Sequence, residues 1–203
     1  MTRDVLNQQL AFLREIDRLK SVVRQSPLLD RSRKENSAEH SWHLAMYALL
    51  LSEHAAASVN RERVIQMLLI HDIVEVDVGD TPIHNVGAGS SQAELEDAAA
   101  VRLFGLVPGE QGAAMLTLWR EFEATESDDA KFAKALDRVQ PLLVNLRTDG
   151  GTWRENGVTL EQVLERYGPV IARGSPTLWA ACEQGVREHF AGRDDGASVS
   201  PPP

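Results

Sequence analysis

The strongest constraint on this chain is a charged pair set where a charge has no cheap place. His71-Asp72 stands between Leu68-Leu69-Ile70 and Ile73-Val74, in a run apolar on nearly every side that reads as a helix at the centre of a core. A carboxylate buried there must be ion-paired, hydrogen-bonded or bound to metal, because an unpaired one is strongly destabilising. Adjacent helix residues point about 100° apart, yet an ion lying beside the helix is within reach of both. Three further groups can converge on it. His40 falls in the first turn of the preceding helix, Glu75 lies one turn beyond His71, and Asp137 interrupts the apolar run Ala135-Leu136 before Val139. Two imidazoles and two carboxylates form a mixed nitrogen and oxygen donor set, suited to divalent Mn, Co, Fe, Ni or Zn. Four protein donors on a metal that takes about six leave room for water and a substrate oxygen. Taken alone, His71-Asp72 reads as a hydrogen-bonded core pair more readily than as a pair of ligands.

The rest of the chain reads as helices joined by short connections. Leu6, Leu10, Leu13 and Ile16 trace one apolar helical face. Pro27 and the polar stretch 30–36 break the pattern. A helix capped by Ser37 then runs to about Ser58, and Asn60 caps the next, from Arg61 to about Val76. Val74–Val78 alternates like a short strand but follows a helical run without a turn signal, so it reads as a helix end. Gly79-Asp80-Thr81-Pro82 stops that helix and opens a glycine-containing loop to Ser91. Helices follow near 91–104, 110–125 and 128–147, a looser region near 148–158, then short helices near 159–166 and 176–190. The expected architecture is all-α, a single compact helical bundle over residues 1–191, with 192–203 a disordered tail.

Composition narrows the function classes. With 21 Lys and Arg against 30 Asp and Glu, the formal net charge is −9, which argues against nucleic-acid or membrane-surface partners. A single cysteine, Cys182, forms no intramolecular disulfide and fits a reducing compartment. No uncharged apolar run approaches the length of a membrane span. The expectation is a soluble cytoplasmic protein. Gly87-Ala88-Gly89 lacks the pattern of a phosphate-binding P-loop, and no serine or cysteine nucleophile motif appears.

The triplets Glu39-His40-Ser41 and Ala135-Leu136-Asp137, with His71-Asp72 between them, lie in the segments RKENSAEHSWHLA, HDIVEVDVGDTP and KFAKALDRVQPLLVN. From about Arg14 to Asn145 the chain resembles the HD-domain metal-dependent phosphohydrolases, most closely their 5′-deoxynucleotidase subgroup. The resemblance implies an HD-type helical bundle with His40, His71, Asp72 and Asp137 as metal ligands. It implies that Glu75 and Asp80 are the catalytic acidic pair, and that Arg24 and Lys134 approach the substrate phosphate. The implied activity is hydrolysis of (deoxy)ribonucleoside 5′-monophosphates to nucleoside and phosphate, by a homodimer. Gln25 departs from the tryptophan of the bacterial members, so a strict preference for deoxyribose does not carry over. The same scaffold class also hosts phosphodiesterases, nucleoside triphosphate hydrolases and two-iron oxygenases, and a helical binding module without catalysis is the non-enzymatic alternative.

Overall fold

The computed structural model describes residues 3–81 and 90–194. Its axis is α7 (Asp128–Arg147), started by the Ser127 hydroxyl, which accepts from the backbone N–H of Ala130. Phe132, Ala133, Leu136, Val139 and Leu142 bury the inner surface of α7. Around it pack α2 (Ser37–Leu51), α3 (Arg61–Ile70), α6 (Gly109–Ala124), α9 (Leu160–Gly174) and α10 (Pro176–Asp194). α9 comes close enough to α7 that a Cβ at Gly174 would stand 2.3 Å from the Lys131 carbonyl oxygen and 2.6 Å from the Ala135 Cβ. Outside this core, α1 (Arg3–Ile16) lies against α5 (Ser90–Phe104), where the Phe12 and Phe104 rings meet 6.5 Å apart. Leu6, Leu10 and Leu13 face outward from α1. Among the described residues no helix is long and apolar enough to cross a membrane.

The fold is the helical bundle expected, with local departures that matter for the site. The polar break after α1 holds a small antiparallel hairpin, β1 (Val23–Pro27) with β2 (Lys34–Asn36). The cap of α2 is Asn36 rather than Ser37. Its side chain accepts from the Glu39 N–H at 3.0 Å, while the Asn36 N–H donates to the Glu39 carboxylate at 3.2 Å, a reciprocal capping box. Ser37 is left free to point inward. α2 ends at Leu51 in a 3₁₀ turn over Ser52–His54, short of Ser58.

α3 ends at Ile70 rather than continuing to Val76. His71–Val74 form a 3₁₀ turn, and α4 (Glu75–Val78) resumes as a helix, as read for 74–78. The region read as loose contains α8 (Gly151–Glu155), and α9 is longer than the sequence indicated. α10 continues through Asp194, while 195–203 and the loop residues 82–89 lie outside the described residues.

Because the capping box fixes the first turn of α2, Asn36→Ala is expected to lower stability by about 1 kcal/mol. A shift of the urea midpoint at unchanged slope measures it.

Candidate metal centre

His40, Asp137 and the His71-Asp72 pair arrive from three elements and meet in the core. All four are buried, at 0, 6, 5 and 8% exposure respectively. His40 lies in the first turn of α2, whose start is tied to the hairpin by the Ser37 N–H donating to the Val22 carbonyl at 3.0 Å. His71 and Asp72 lie in the 3₁₀ turn, and Asp137 stands midway along α7. His40, His71 and Asp72 each offer a donor atom within 4.8 Å of the others. Asp137 Oδ1 closes the group, 3.1 Å from His40 Nε2 and 3.8 Å from His71 Nε2.

His71, Asp72 and Asp137 are each aimed by a bond made on the far side. His71 Nδ1 lies 2.9 Å from the Leu68 carbonyl, a geometry in which Nδ1–H donates and Nε2 faces the cluster. Asp72 turns Oδ1 to within 2.9 Å of His71 Nε2, while Oδ2 accepts from Arg24 Nη1 at 2.9 Å. Asp137 Oδ2 accepts from Arg138 Nη1 at 2.8 Å, leaving Oδ1 on the histidine side. Both aspartates thus present one oxygen inward and anchor the other on an arginine.

His71 Nε2 is itself buried and makes no hydrogen bond. A buried ring nitrogen among inward-facing carboxylate oxygens fits a divalent cation once its proton is displaced, and the two-nitrogen, two-oxygen set suits the metals named above. His40, His71, Asp72 and Asp137 are the residues that could hold it.

Charge around the cluster is unbalanced. Besides Asp72, Arg24 faces Asp80 at 3.4 Å, Glu35 at 3.5 Å and Glu75 at 3.7 Å. Burial and the Asp72 charge push Glu75 up to about 9, against Arg24 and the Ser37 hydroxyl, which donates to it. Burial also raises Asp80, opposed by Arg24. Burial would raise Asp72 and Asp137 too. His71 and Arg24 instead hold Asp72 low, and Arg138 and His40 hold Asp137 well below the usual range. Burial works against a proton on His71, but Asp72 and Asp137 push it up to about 10.

The cluster opens into a cavity of about 200 Å³ lined by Arg24, Glu75, Asp80, Lys134 and Arg138 among others. Lys134 reaches it from the same side of α7 as Asp137. It pairs with Glu123 at 3.0 Å and lies 3.9 Å over the Phe122 ring. Asp80 follows Gly79 (φ 75°, ψ 169°), a conformation open essentially only to glycine, which turns the chain back toward the cavity. All the residues expected at a site are therefore gathered at one place. Sequence reading missed Arg138, Glu123, Ser37 and Glu35. Arg138 was signalled only by adjacency to Asp137, and the inward turn of Glu35 depends on the hairpin. Gln25 is exposed and accepts from Asn156 Nδ2 at 3.3 Å, away from the cavity lining.

A helical bundle with a histidine on α2, a His-Asp pair in the 3₁₀ turn after α3 and an aspartate on α7, together able to hold a metal, defines the class: a helical domain of the HD type. The chain belongs to the HD domain family, whose model matches residues 16–179. It is 29% identical over 140 residues to the 5′-deoxynucleotidase HDDC2 of Danio rerio, covering 68% of each chain. It is 31% identical over 163 residues to the 5′-deoxynucleotidase of Erwinia tasmaniensis, covering 75% of this chain and 82% of that one. The chain spans about two thirds of the length of its HDDC2 relatives, 64% for the Bos taurus protein. Among solved structures, a predicted metal-dependent phosphohydrolase from Magnetospirillum magnetotacticum MS-1 superposes with a TM-score of 0.87 at 50% identity, covering 92% of this chain and 95% of that one.

Since His71 carries a proton up to about pH 10 without metal, a cation must displace that proton. Affinity for Mn or Co is expected to rise with pH, by about tenfold per unit between pH 6 and 8. Calorimetry in buffers of different ionisation enthalpy should register release of about one proton per ion bound in that range.

Proposed function

We propose that this chain is a metal-dependent phosphomonoesterase that hydrolyses (deoxy)ribonucleoside 5′-monophosphates to nucleoside and inorganic phosphate. The observation that carries the reading is the meeting, at one cavity, of an inward-facing His40–His71–Asp72–Asp137 set with two cations and a pair of carboxyls of raised pKa. The names of its relatives support the choice of substrate. Mn, Co, Fe, Ni and Zn all suit the donor set. The catalytic unit runs to the end of α10 at Asp194, in a cytoplasmic homodimer. The outward leucines of α1 offer apolar surface of the kind a second copy covers.

When bound, a divalent ion at these four residues supplies Lewis-acid polarisation of a phosphoryl oxygen and acidifies water. The remaining work falls to the chain. Arg24 and Lys134 face the phosphate and stabilise charge on its equatorial oxygens, since positioning and electrostatics dominate phosphoryl transfer. Water attacks phosphorus as the bond to the 5′-oxygen breaks. Asp80 takes a proton from the attacking water. Glu75, whose carboxyl burial and the Asp72 charge push up, gives its proton to the leaving 5′-oxygen.

The test is phosphate release from a panel of ribo- and deoxyribonucleoside monophosphates, using protein stripped with chelator and reloaded with Mn or Co. Loaded protein should release phosphate and stripped protein should not. Glu75→Gln should lower kcat by about 10²- to 10⁴-fold with metal still bound, and Asp72→Ala should lose both metal and turnover. With Gln25 outside the cavity, both sugars should be accepted. Fully loaded protein that releases no phosphate from any nucleotide overturns the reading.

A further inference from the structure

We propose that Glu35 is the positioning residue of this site, fixing from one buried carboxylate both the His40 imidazole and the Arg24 guanidinium. The proposal rests on the metal-site reading above and deepens it. Glu35 is 4% exposed although it belongs to a three-residue strand at the protein's edge. Its neighbour Lys34 is exposed, as strand alternation requires. Next to the Val23–Asn36 pair of the hairpin, Arg24 and Glu35 turn to the same inward side.

The two oxygens of Glu35 have different partners. Oε2 accepts from Gln140 Nε2 at 3.0 Å, which anchors the carboxylate to α7 three residues beyond Asp137. Oε1 lies 3.4 Å from His40 Nδ1 and 3.5 Å from Arg24 Nε. All three of these atoms are buried, and none has a hydrogen-bond partner elsewhere. They are the atoms a tightened site would join.

The chemistry of His40 makes the same demand. An imidazole that gives its Nε2 lone pair to a metal carries its proton on Nδ1, and a buried N–H there needs an acceptor. His71 has the Leu68 carbonyl for this purpose. For His40 the group facing Nδ1 is Glu35, and a carboxylate acceptor makes the imidazole a more basic donor than a carbonyl does. The same oxygen faces Arg24 Nε, so the opposite edge of the guanidinium, Nη1, is directed at Asp72, Glu75 and Asp80. The hairpin thereby couples a metal ligand to the cation that faces the phosphate.

The experiment uses the full chain, stripped of metal and labelled with ¹⁵N-histidine. In the Zn-loaded wild-type protein, the His40 ring should show a slowly exchanging downfield proton on Nδ1 and a metal-shifted Nε2. Glu35→Gln keeps the shape and removes the charge. It should weaken Co affinity by about 10- to 100-fold, move the His40 Nδ1–H signal and shift the visible Co band. Unchanged Co affinity and band in Glu35→Gln overturn the proposal, even if the variant melts at lower temperature, because that pattern marks packing alone. A wild-type protein whose His40 carries no Nδ1 proton when loaded also overturns it, with no variant required. None of these readouts uses substrate. If they hold while no nucleotide is hydrolysed, the Glu35 assignment stands and the phosphomonoesterase reading falls. Wild-type protein that binds neither Zn nor Co overturns both.

Discussion

Arg24 sits among more carboxylate than one guanidinium can neutralise, and the arrangement of the site follows from that imbalance. Asp72, Asp80, Glu35 and Glu75 all lie within 3.7 Å of its nitrogens, in a region where water screens little and each unmatched charge is expensive. Such an excess can be relieved by retained protons, by further cations or by a bound ion. The first route is visible in the raised pKa of Glu75 and of His71. The second is visible in Arg138 on Asp137. The third would be met by a dication held among His40, His71, Asp72 and Asp137, beside that excess.

Backbone geometry at the His-Asp pair serves this arrangement. Had α3 continued as a regular helix, Glu75 would be offset about 60° around the axis from Asp72. In the 3₁₀ turn, residues three apart eclipse, so Asp72 and Glu75 project in the same direction, toward Arg24. The tighter turn is held from the core side, where Trp119 Nε1 donates to the His71 carbonyl at 3.0 Å and the Phe122 ring meets the His71 ring edge-on at 5.1 Å. Aromatic packing on α6 thus fixes a turn whose hydrogen bonding is intrinsically poorer than that of an α-helix.

His71, Asp72 and Asp137 were legible because each is a polar residue in an apolar setting, and that contrast survives in one dimension; His40, between Glu39 and Ser41, has no such contrast. Arg24 and Lys134 were legible only through resemblance to a family. Nothing in the local pattern separates them from solvated charges. The hairpin was not legible at all: VRQSP and KEN show no apolar alternation, and their pairing is held by backbone bonds and by inward-facing Arg24, Ser26 and Glu35 rather than by hydrophobic burial. The cap of α2 was misplaced by one residue for a similar reason. Asn36 and Ser37 are both good caps, and Glu39, three residues after Asn36, decides between them only once its carboxylate is seen to reach back. Moving the cap to Asn36 frees the Ser37 hydroxyl to donate to Glu75.

The bonds that aim three of the four metal-site residues come from outside the cluster: a backbone carbonyl behind His71 and an arginine behind each aspartate. None of them depends on an ion. The donors therefore need little rearrangement to receive one, and the ordering of these side chains has been met by folding rather than left to be met on binding. The same logic explains why a polar hairpin persists at the edge of an otherwise helical bundle. It is a short path that brings an arginine and a carboxylate to the mouth of a core cluster without threading another helix through the apolar interior. The carboxyl of Glu35 then meets Gln140 on α7, so the strand is registered against the helix that carries Asp137. A change in the hairpin is in this way a change at the metal centre, although no residue of β1 or β2 belongs to the four.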